Sequence, residues 1–185
     1  MKVESGYSMV EILIVIVIIS ASLLFALPNF NEWAEKNRIN AESDKVYIDL
    51  MLARTSAVKN NNNVIVTFDA VGNSYQVHDD TNSNGAEDSG EGIKTVLIDD
   101  KVQFGINGSI VDIDGNTITA PIALGGDNII VFNPRGHADT SGSVFLIPKA
   151  DIGVKNDRMR AVSILQATGS VDLWKYQSTS NPPWG

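Results

Sequence analysis

The stretch Gly6-Tyr7-Ser8-Met9-Val10-Glu11, followed by the apolar run Ile12–Leu27, decides how the rest of the chain can fold. The run of sixteen residues carries no charge, and its polar side chains are Ser20 and Ser22. Counted from Met9 the segment has nineteen residues. A helix of that length covers about 28 Å, the thickness of a bilayer's hydrocarbon core. Its apolarity on every side predicts a membrane-spanning helix rather than a buried strand.

Glu11 is the ionisable residue near the start of this segment. An unpaired carboxylate inside a membrane costs at least ~2.5 kcal/mol, so a residue of this kind usually has a function and a partner. The alternative is that Glu11 lies in the headgroup region and is simply solvated. The residues before it, Met1–Gly6, are too few and too polar to form a secretory leader with an apolar region of its own.

The run Gly6-Tyr7-Ser8-Met9-Val10-Glu11-Ile12-Leu13-Ile14-Val15 resembles the cleavage and methylation site of type IV prepilins and type II secretion pseudopilins. In that family a prepilin peptidase cuts after the Gly and methylates the new amine. The resemblance implies that Tyr7 becomes the first mature residue, Glu11 the fifth and Pro28 the twenty-second, where a helix-kinking Pro is common. Tyr7, Ser8 and Met9 depart mildly from the usual Phe, Thr and aliphatic residue.

The resemblance also implies partners for this segment. The Glu11 carboxylate of one subunit would meet the Tyr7 amine of a neighbour in a filament, and other pilins or pseudopilins would supply that neighbour. Such a charge pair in a low dielectric sets the register between subunits rather than adding much net stability. Before assembly the helix would hold the subunit in the bacterial inner membrane as a single span, with the globular part extracytoplasmic. The filament would then be periplasmic or extracellular.

The composition narrows the possible partners of the rest of the chain. Its 185 residues carry 14 Lys and Arg against 22 Asp and Glu, a net charge of −8. An acidic chain is unlike proteins that bind nucleic acid, so nucleic acid is not an expected partner. The absence of Cys excludes disulfides and thiolate metal sites. Lys2, before the apolar segment, favours a cytoplasmic N-terminus.

The pattern of the chain predicts an α+β fold: a long N-terminal helix packed on an antiparallel β-sheet domain. A bend is expected at Pro28, and Val46, Leu50, Ala53 and Ala57 recur at helical spacing. The predicted parts are a leader (1–6), a membrane or filament-core helix (7–28), its amphipathic continuation (29–63), a β-rich domain (64–176) and a loosely held tail (177–185).

Short strands are predicted after residue 63 because the period changes there. The first two form a hairpin across Asp69–Asn73. The predicted strands are Val64–Phe68, Ser74–His78, Ile93–Ile98, Val102–Ile106, Ile110–Ile113, Thr117–Thr119, Asn128–Phe132, Ser143–Ile147, Arg160–Leu165 and Val171–Tyr176.

A second resemblance, spread over most of the chain, is to minor pseudopilins and pilins of the GspH/FimT type. It rests on four segments: Arg54–Asn60, Val64–Phe68, Phe132-Asn133-Pro134-Arg135-Gly136 and Ser141-Gly142-Ser143-Val144. The Gly-Arg-x-Arg pattern of some DNA-binding members is replaced here by Gly169-Ser170-Val171-Asp172, which argues against a DNA-uptake role. Asn133–Gly136 is interpreted as a turn, and His137 as a surface side chain.

The segment from Asp80 to Glu91 matches the calcium-loop pattern D-x-[DN]-x-[DN]-G-x5-E at each specified position. Calcium prefers six to eight hard oxygen ligands, which a short loop can supply. The flanking segments are predicted strands rather than the helices of an EF-hand, so a plain solvated hairpin turn is the alternative. The predicted ligands are Asp80, Asn82, Asn84, the Ala86 carbonyl, Asp88 and Glu91.

The sequence indicates a structural protein rather than an enzyme. It has neither a nucleophile signature near its two His residues nor a phosphate-binding Gly-rich loop. The leading hypothesis is a minor pilin or pseudopilin, at or near the filament tip, of a type IV pilus or type II secretion system. It requires no cofactor, although calcium is possible. The alternatives are a major pilus fibre subunit and a membrane-anchored calcium-binding or adhesive domain that does not polymerise.

Overall fold

The computed structural model describes residues 6–185, apart from the side chains of residues 24–29. One long helix, α1 (Met9–Asn60), precedes a series of strands, and the chain divides into two compact units, Met1–Asn37 and Arg38–Gly185. A 3₁₀ turn occupies Lys149–Asp151. The strands are β1 (Asn63–Asp69), β2 (Ser74–Asp80), β3 (Ile93–Leu97), β4 (Val102–Phe104), β5 (Ile110–Val111), β6 (Thr117–Ile118), β7 (Ile122–Leu124), β8 (Ile129–Phe132), β9 (Gly142–Pro148), β10 (Arg160–Leu165) and β11 (Ser170–Lys175).

The first part of α1 exposes its side chains on every face, from Met9 to residue 23. In the part of the chain that is described, no helix is both long and apolar enough to cross a membrane. Most of the predicted leader lies outside the described residues, and so do the side chains at the end of the predicted span. The helix runs through position 28, but the side chain of Pro28 is outside the described set. The membrane span and the bend remain predictions.

The later part of α1 buries one strip of side chains in the globular unit. Ala53 and Ala57 are buried within this strip, and the predicted helical spacing is confirmed. Asn61 ends the helix with a φ of 55°, as expected from the tolerance of Asn for the left-handed region. The buried strip consists of Ile39, Val46, Leu50, Ala53 and Ala57.

The strands form antiparallel sheets, as the sequence predicts. The first sheet has the order β3-β2-β1-β8, and the second has the order β11-β10-β9-β4, with β7 also paired to β9. Strands β5 and β6 make a separate two-stranded ribbon. The predicted β1–β2 hairpin is confirmed, and Asp69 accepts hydrogen bonds from the turn amides of Val71 and Gly72. Strand β7 was not predicted.

Two apolar clusters lie on opposite faces of β9. Val144 and Leu146 belong to the main cluster, which includes the buried strip of α1. Phe145 and Ile147 alternate with them and belong to a second cluster with Trp184. This alternation follows from the two-residue period of a strand, and it explains why β9 reads as a continuous apolar run.

The prediction of a loosely held tail is wrong. Trp184 is buried, donates from its indole Nε1 to the Val111 carbonyl (2.7 Å) and packs against Phe145 and Tyr176. The amide of Gly185 donates to the carbonyl of Lys175 (3.0 Å). A large aromatic side chain removes much apolar area from water, and its N–H needs a partner when buried. These two requirements together hold the tail in place.

Arg54 ties α1 to two turns of the β domain. Its Nε donates to the carbonyl of Gly136 (2.8 Å), and its Nη2 donates to the carbonyl of Thr168 (2.9 Å). The two turns meet at Gly169, where an added Cβ would lie 2.1 Å from the Gly136 carbonyl oxygen. A glycine is therefore required at Gly169 by close approach as well as by its φ of 62°.

Replacement of Gly169 by Ala should destabilise the fold by more than about 2 kcal/mol, because it adds a backbone clash to the strain of a positive φ. Gly115→Ala is a matched control, since Gly115 has a φ of +88° but open space around it; it should cost about 1 kcal/mol. Chemical denaturation of the detergent-solubilised chain, followed by circular dichroism, measures both. Equal losses would contradict the close-approach argument.

Candidate functional site

The predicted processing segment begins immediately before α1. Ser8 caps the helix: its carbonyl accepts from the amides of Glu11 (3.0 Å) and Ile12 (3.2 Å), and its Oγ accepts from the amide of Val10 (3.4 Å). Glu11 therefore lies in the first turn, where the helix dipole favours a carboxylate. The helix dipole stabilises the Glu11 carboxylate whether it is solvated or paired with another charge. The position of Glu11 therefore fits both possibilities.

The structure brings two of the predicted site residues together on one side of the helix. Tyr7 and Glu11 border the same shallow concavity, whose other lining residues are Ile12, Val15 and Ile16. Both side chains are exposed. The remaining predicted site residues of this segment, Gly6 and Pro28, are an exposed glycine before the helix and a helical position whose side chain is not described.

The predicted calcium loop folds around its own carboxylates. Asp80 accepts from the amides of Asn84 (3.1 Å) and Gly85 (3.0 Å). The Nδ2 groups of Asn82 and Asn84 both donate to the same oxygen of Asp88, each at 2.7 Å. Two amide N–H donors thus converge on one carboxylate oxygen, and they supply part of the positive potential that a cation would supply.

The side chain of Glu91, the last predicted ligand, contacts His78 and Thr81 instead of the side chains of the other predicted ligands. Its Oε2 lies 2.6 Å from Nε2 of His78, and its Oε1 accepts from the amide (2.9 Å) and hydroxyl (3.0 Å) of Thr81. An ionised carboxylate only accepts hydrogen bonds, so His78 carries the proton on Nε2. The hydrogen bond from His78, with those from the amides of Asp88 and Thr81, lowers the pKa of Glu91 to about 2, although burial opposes the shift. The side chains of His78 and Glu91 are both buried.

The predicted ligand residues are only partly arranged to bind a cation. Four of the predicted residues are gathered by mutual hydrogen bonds, whereas Glu91 is committed to His78 and Thr81. Within residues 6–185, no group of three or more acidic or His side chains is arranged to hold a metal ion. Calcium would have to turn the Asn amides over and recruit Glu91 from His78. Calcium binding therefore stays a prediction.

A polar cluster between α1 and the first sheet, in which Asp49 and Tyr75 are buried and Lys94 is exposed, is not predicted by the sequence pattern. Asp49 accepts from the hydroxyl of Tyr75 (2.6 Å) and from Nζ of Lys94 (2.7 and 2.8 Å). Burial and the hydrogen bond to Asp49 raise the pKa of Tyr75. No spacing in the sequence links these residues, because they come from a helix and two strands; an acid within the buried helix face was the available signal.

The segment Asn133–Gly136 forms the predicted turn. The side-chain oxygen of Asn133 accepts from the amides of Arg135 (2.9 Å) and His137 (3.2 Å), and the Gly136 amide donates to the Asn133 carbonyl (2.8 Å). His137 is exposed, as predicted. These observations support a structural role for the segment, which Arg54 ties to α1.

A long N-terminal helix that leads into antiparallel β-sheets places the chain among the α+β proteins. Residues 42–168 match the family model described as Type II transport protein GspH, and the chain belongs to that family. The predicted GspH/FimT-type relationship is thereby confirmed. Members of the family are structural subunits that assemble with other pilins or pseudopilins in a filament, not enzymes.

Solved structures with a similar fold were also found. Two are of the minor pseudopilin EpsH from the Type 2 Secretion System of Vibrio cholerae: one is 13% identical, with a TM-score of 0.49, covering 75% of this chain and 97% of that chain. The other is 15% identical, with a TM-score of 0.48 and coverages of 75% and 94%. The type IV minor pilin FimU of Pseudomonas aeruginosa is 14% identical, with a TM-score of 0.46 and coverages of 76% and 91%. No curated protein matches the chain.

The Glu91–His78 contact should make stability depend on acid pH. The pKa of Glu91 falls from its ordinary value of 4.5 to about 2 on folding. The resulting stabilisation is complete above pH 4.5 and is lost as the pH falls towards 2. The stability difference between the wild type and Glu91→Gln should therefore shrink over this window. Urea denaturation at several pH values measures it.

Glu87→Gln serves as the control, because Glu87 is an exposed glutamate of the same loop. Its stability should track the wild type over the whole pH range. A constant difference between wild type and Glu91→Gln from pH 4.5 to 2 would contradict the assigned role of the ionised carboxylate.

Proposed function

We propose that this protein is a minor pseudopilin or minor pilin, cut by a prepilin peptidase after Gly6 and incorporated into a type II secretion or type IV pilus filament at or near its tip. Membership of the GspH family, established over residues 42–168, is the observation that carries the proposal. The N-terminal segment lies outside that match. The role proposed for the N-terminal segment rests on the chemistry of its own residues.

The anchor is proposed from the sequence of residues 9–27. Nineteen consecutive residues with a single ionisable side chain have the length of a bilayer's hydrocarbon core. Exposure of the side chains from Met9 to residue 23 is consistent with a helix that finds its apolar surroundings outside its own chain. The inner membrane would provide those surroundings before assembly, and the helices of neighbouring subunits would provide them afterwards.

Glu11 has the position expected of an assembly residue. It shares a concavity with Tyr7, so cleavage after Gly6 would create a positive amine within about one helical turn of the carboxylate. Once both charges leave water, each needs an opposite charge. A neighbouring subunit can provide it in a filament, and the pair then fixes the stagger between subunits.

The processing step predicts a defined mature N-terminus. Intact-mass and peptide mass spectrometry of the protein from native membranes should show a chain that begins with N-methylated Tyr7. Gly6→Val should block the cut, because the added side chain obstructs the scissile position, and it should leave the full-length precursor in the membrane. A native protein that still begins at Met1 would rule out the processing step.

Replacement of Glu11 by Ala should separate assembly from anchoring. The variant should stay in the membrane fraction and lose incorporation into filaments by at least about tenfold, as expected for loss of an interaction near 1.4 kcal/mol. Ser20→Ala is the control, because the hydroxyl of Ser20 is bonded to its own helix at the Ile16 carbonyl (2.8 Å). Normal incorporation of Glu11→Ala would favour the anchored domain that does not polymerise.

Calcium binding by the loop from Asp80 to Glu91 is a second proposal, favoured by the clustering of Asp80, Asn82, Asn84 and Asp88. Titration of the detergent-solubilised chain with about 1 mM calcium should release or absorb heat and shift the imidazole resonances of His78. Asp88→Asn should abolish both signals. Asp114→Asn, in the exposed β5–β6 turn, should abolish neither. No heat from the wild type would leave the loop as a plain hairpin connection.

A further inference from the structure

Three apolar side chains of the globular unit are almost fully exposed. Val71 is 100% exposed, Val154 74% and Leu97 72%. The other exposed large apolar side chains described in residues 38–185 lie between 39% and 58%. Isolated exposed apolar residues are ordinary, but a group of them in one place marks an interaction surface. The positions of these three residues in the fold therefore decide whether they form one interaction surface.

These three residues lie at the same end of the unit, because their segments all join residues 98–102. The turn that carries Val71 is bonded there through Asn73, whose Nδ2 donates to the Val102 carbonyl (2.8 Å). The carbonyl of Asn73 accepts from the Ile98 amide (3.0 Å), next to Leu97. The turn that carries Val154 follows Lys149, whose amide donates to the carbonyl of residue 101 (2.8 Å).

This end is also where α1 enters the globular unit. Nε of Arg38, the first residue of the unit, lies 3.4 Å from Oδ1 of Asp99. Arg160, the first residue of β10, donates from Nε (3.0 Å) and Nη2 (2.9 Å) to the side-chain oxygen of Asn40. We call the surface formed by Val71, Leu97, Ile152 and Val154 the entry surface.

The turns that carry the entry surface are held rigidly. Asn107 donates to the carbonyls of Asp151 and Lys155, both at 2.9 Å, and accepts from the amide of Gly153 (2.6 Å). Asp69 accepts from the turn amide of Val71 (3.0 Å). Rigid turns keep Val71 and Val154 from folding back onto the protein, so their exposure is maintained by the structure.

The acidic loop lies at the other end of the helix within this unit. Nδ2 of Asn60 (3.3 Å) and Nδ2 of Asn62 (2.7 Å) donate to Asp79, at the start of that loop. Arg38 and Asn60 are 22 residues apart, which corresponds to about 33 Å of helix. The entry surface and the acidic loop therefore lie at opposite ends of the unit.

We propose that the entry surface rests on the lipid interface of the membrane that holds the N-terminal segment. The proposal depends on the membrane anchor proposed above. Arg38 follows Leu27, the last residue of the predicted span, by eleven residues. That connection spans at most about 40 Å when fully extended, which bounds how far this end can lie from the proposed anchor.

The chemistry of the entry surface suits a lipid headgroup region. Apolar side chains on rigid tips insert below the headgroups, while long lysine stems keep their ammonium groups among the phosphates. Lys101 and Lys149 flank the tips and are exposed. Of the acids at this end, Asp99 pairs with Arg38 and Asp100 lies 3.9 Å from Nζ of Lys101, while Asp69 and Asp157 are exposed. The two pairs reduce repulsion from an anionic surface in part, and the acidic loop lies at the other end.

The absence of Cys allows a direct test on the full chain. Val71→Cys, Leu97→Cys and Val154→Cys each carry one environment-sensitive fluorophore, and each protein is reconstituted into phosphatidylcholine vesicles with and without phosphatidylglycerol. Leu165→Cys is the control: Leu165 is exposed at the end of β10, next to the turn tied to Arg54. Nitroxide lipids in the vesicles quench a probe that touches the bilayer.

The three entry-surface probes should be blue-shifted and quenched by nitroxide lipid, and the Leu165→Cys probe should not. Val154→Asp introduced into the Leu97→Cys protein should reduce the quenching of the Leu97→Cys probe.

Flotation of the protein with vesicles, together with unquenched entry-surface probes, would overturn this inference and leave the anchor intact. Failure to float would overturn both. A blue shift without quenching would assign the surface to a protein neighbour, and equal quenching of all four probes would show a domain lying flat; either result overturns the inference.

Discussion

The structure depends on the packing of one strip of α1 against the β domain. Burial of a branched aliphatic side chain such as Val46 or Leu50 contributes about 1.5–3 kcal/mol, whereas a typical hydrogen bond contributes about 0.5–1.5 kcal/mol. The strip therefore supplies most of the free energy that holds the helix on the domain.

Apolar packing alone does not fix the rotation or the longitudinal position of a helix, and polar contacts do so here. They occur at three heights along α1: near its entry at Asn40, at Asp49 and at Arg54. Each joins the helix to a different part of the domain, so a shift of one helical position would leave several buried polar groups without partners. Such a loss costs about 1–3 kcal/mol per group, which makes alternative registers unfavourable. The helix and domain contacts are Asn40 with Arg160, Asp49 with Tyr75 and Lys94, and Arg54 with Gly136 and Thr168.

Much of this architecture could be predicted from the sequence, because local periodicity determines it. The change from a helical to a two-residue period near residue 63 locates the end of α1, and Asp69–Asn73 identifies the first hairpin. The contacts that could not be predicted join residues far apart in the chain. The spacing of Glu91 predicts a cation ligand, whereas the fold places its carboxylate beside His78. The sequence does not predict the ordered tail, because the pocket for Trp184 is built from strands that are distant from it in the chain.

The position of Glu11 connects the helix cap to the proposed assembly step. In the uncut chain Glu11 lies in the first turn of α1, where the helix dipole stabilises its carboxylate locally. Under the proposed cleavage the new amine at Tyr7 arises about one helical turn before Glu11, so the charge could also be neutralised within one subunit. Exchange of this internal partner for the amine of a neighbour replaces one ion pair with another and changes the net free energy little. Its effect would then lie in geometry: a stagger that brings each carboxylate to the next amine keeps both charges paired, whereas a stagger that separates an amine from both carboxylates carries the penalty of a buried, uncompensated ion. A weak net contribution is therefore compatible with strict control of the subunit register.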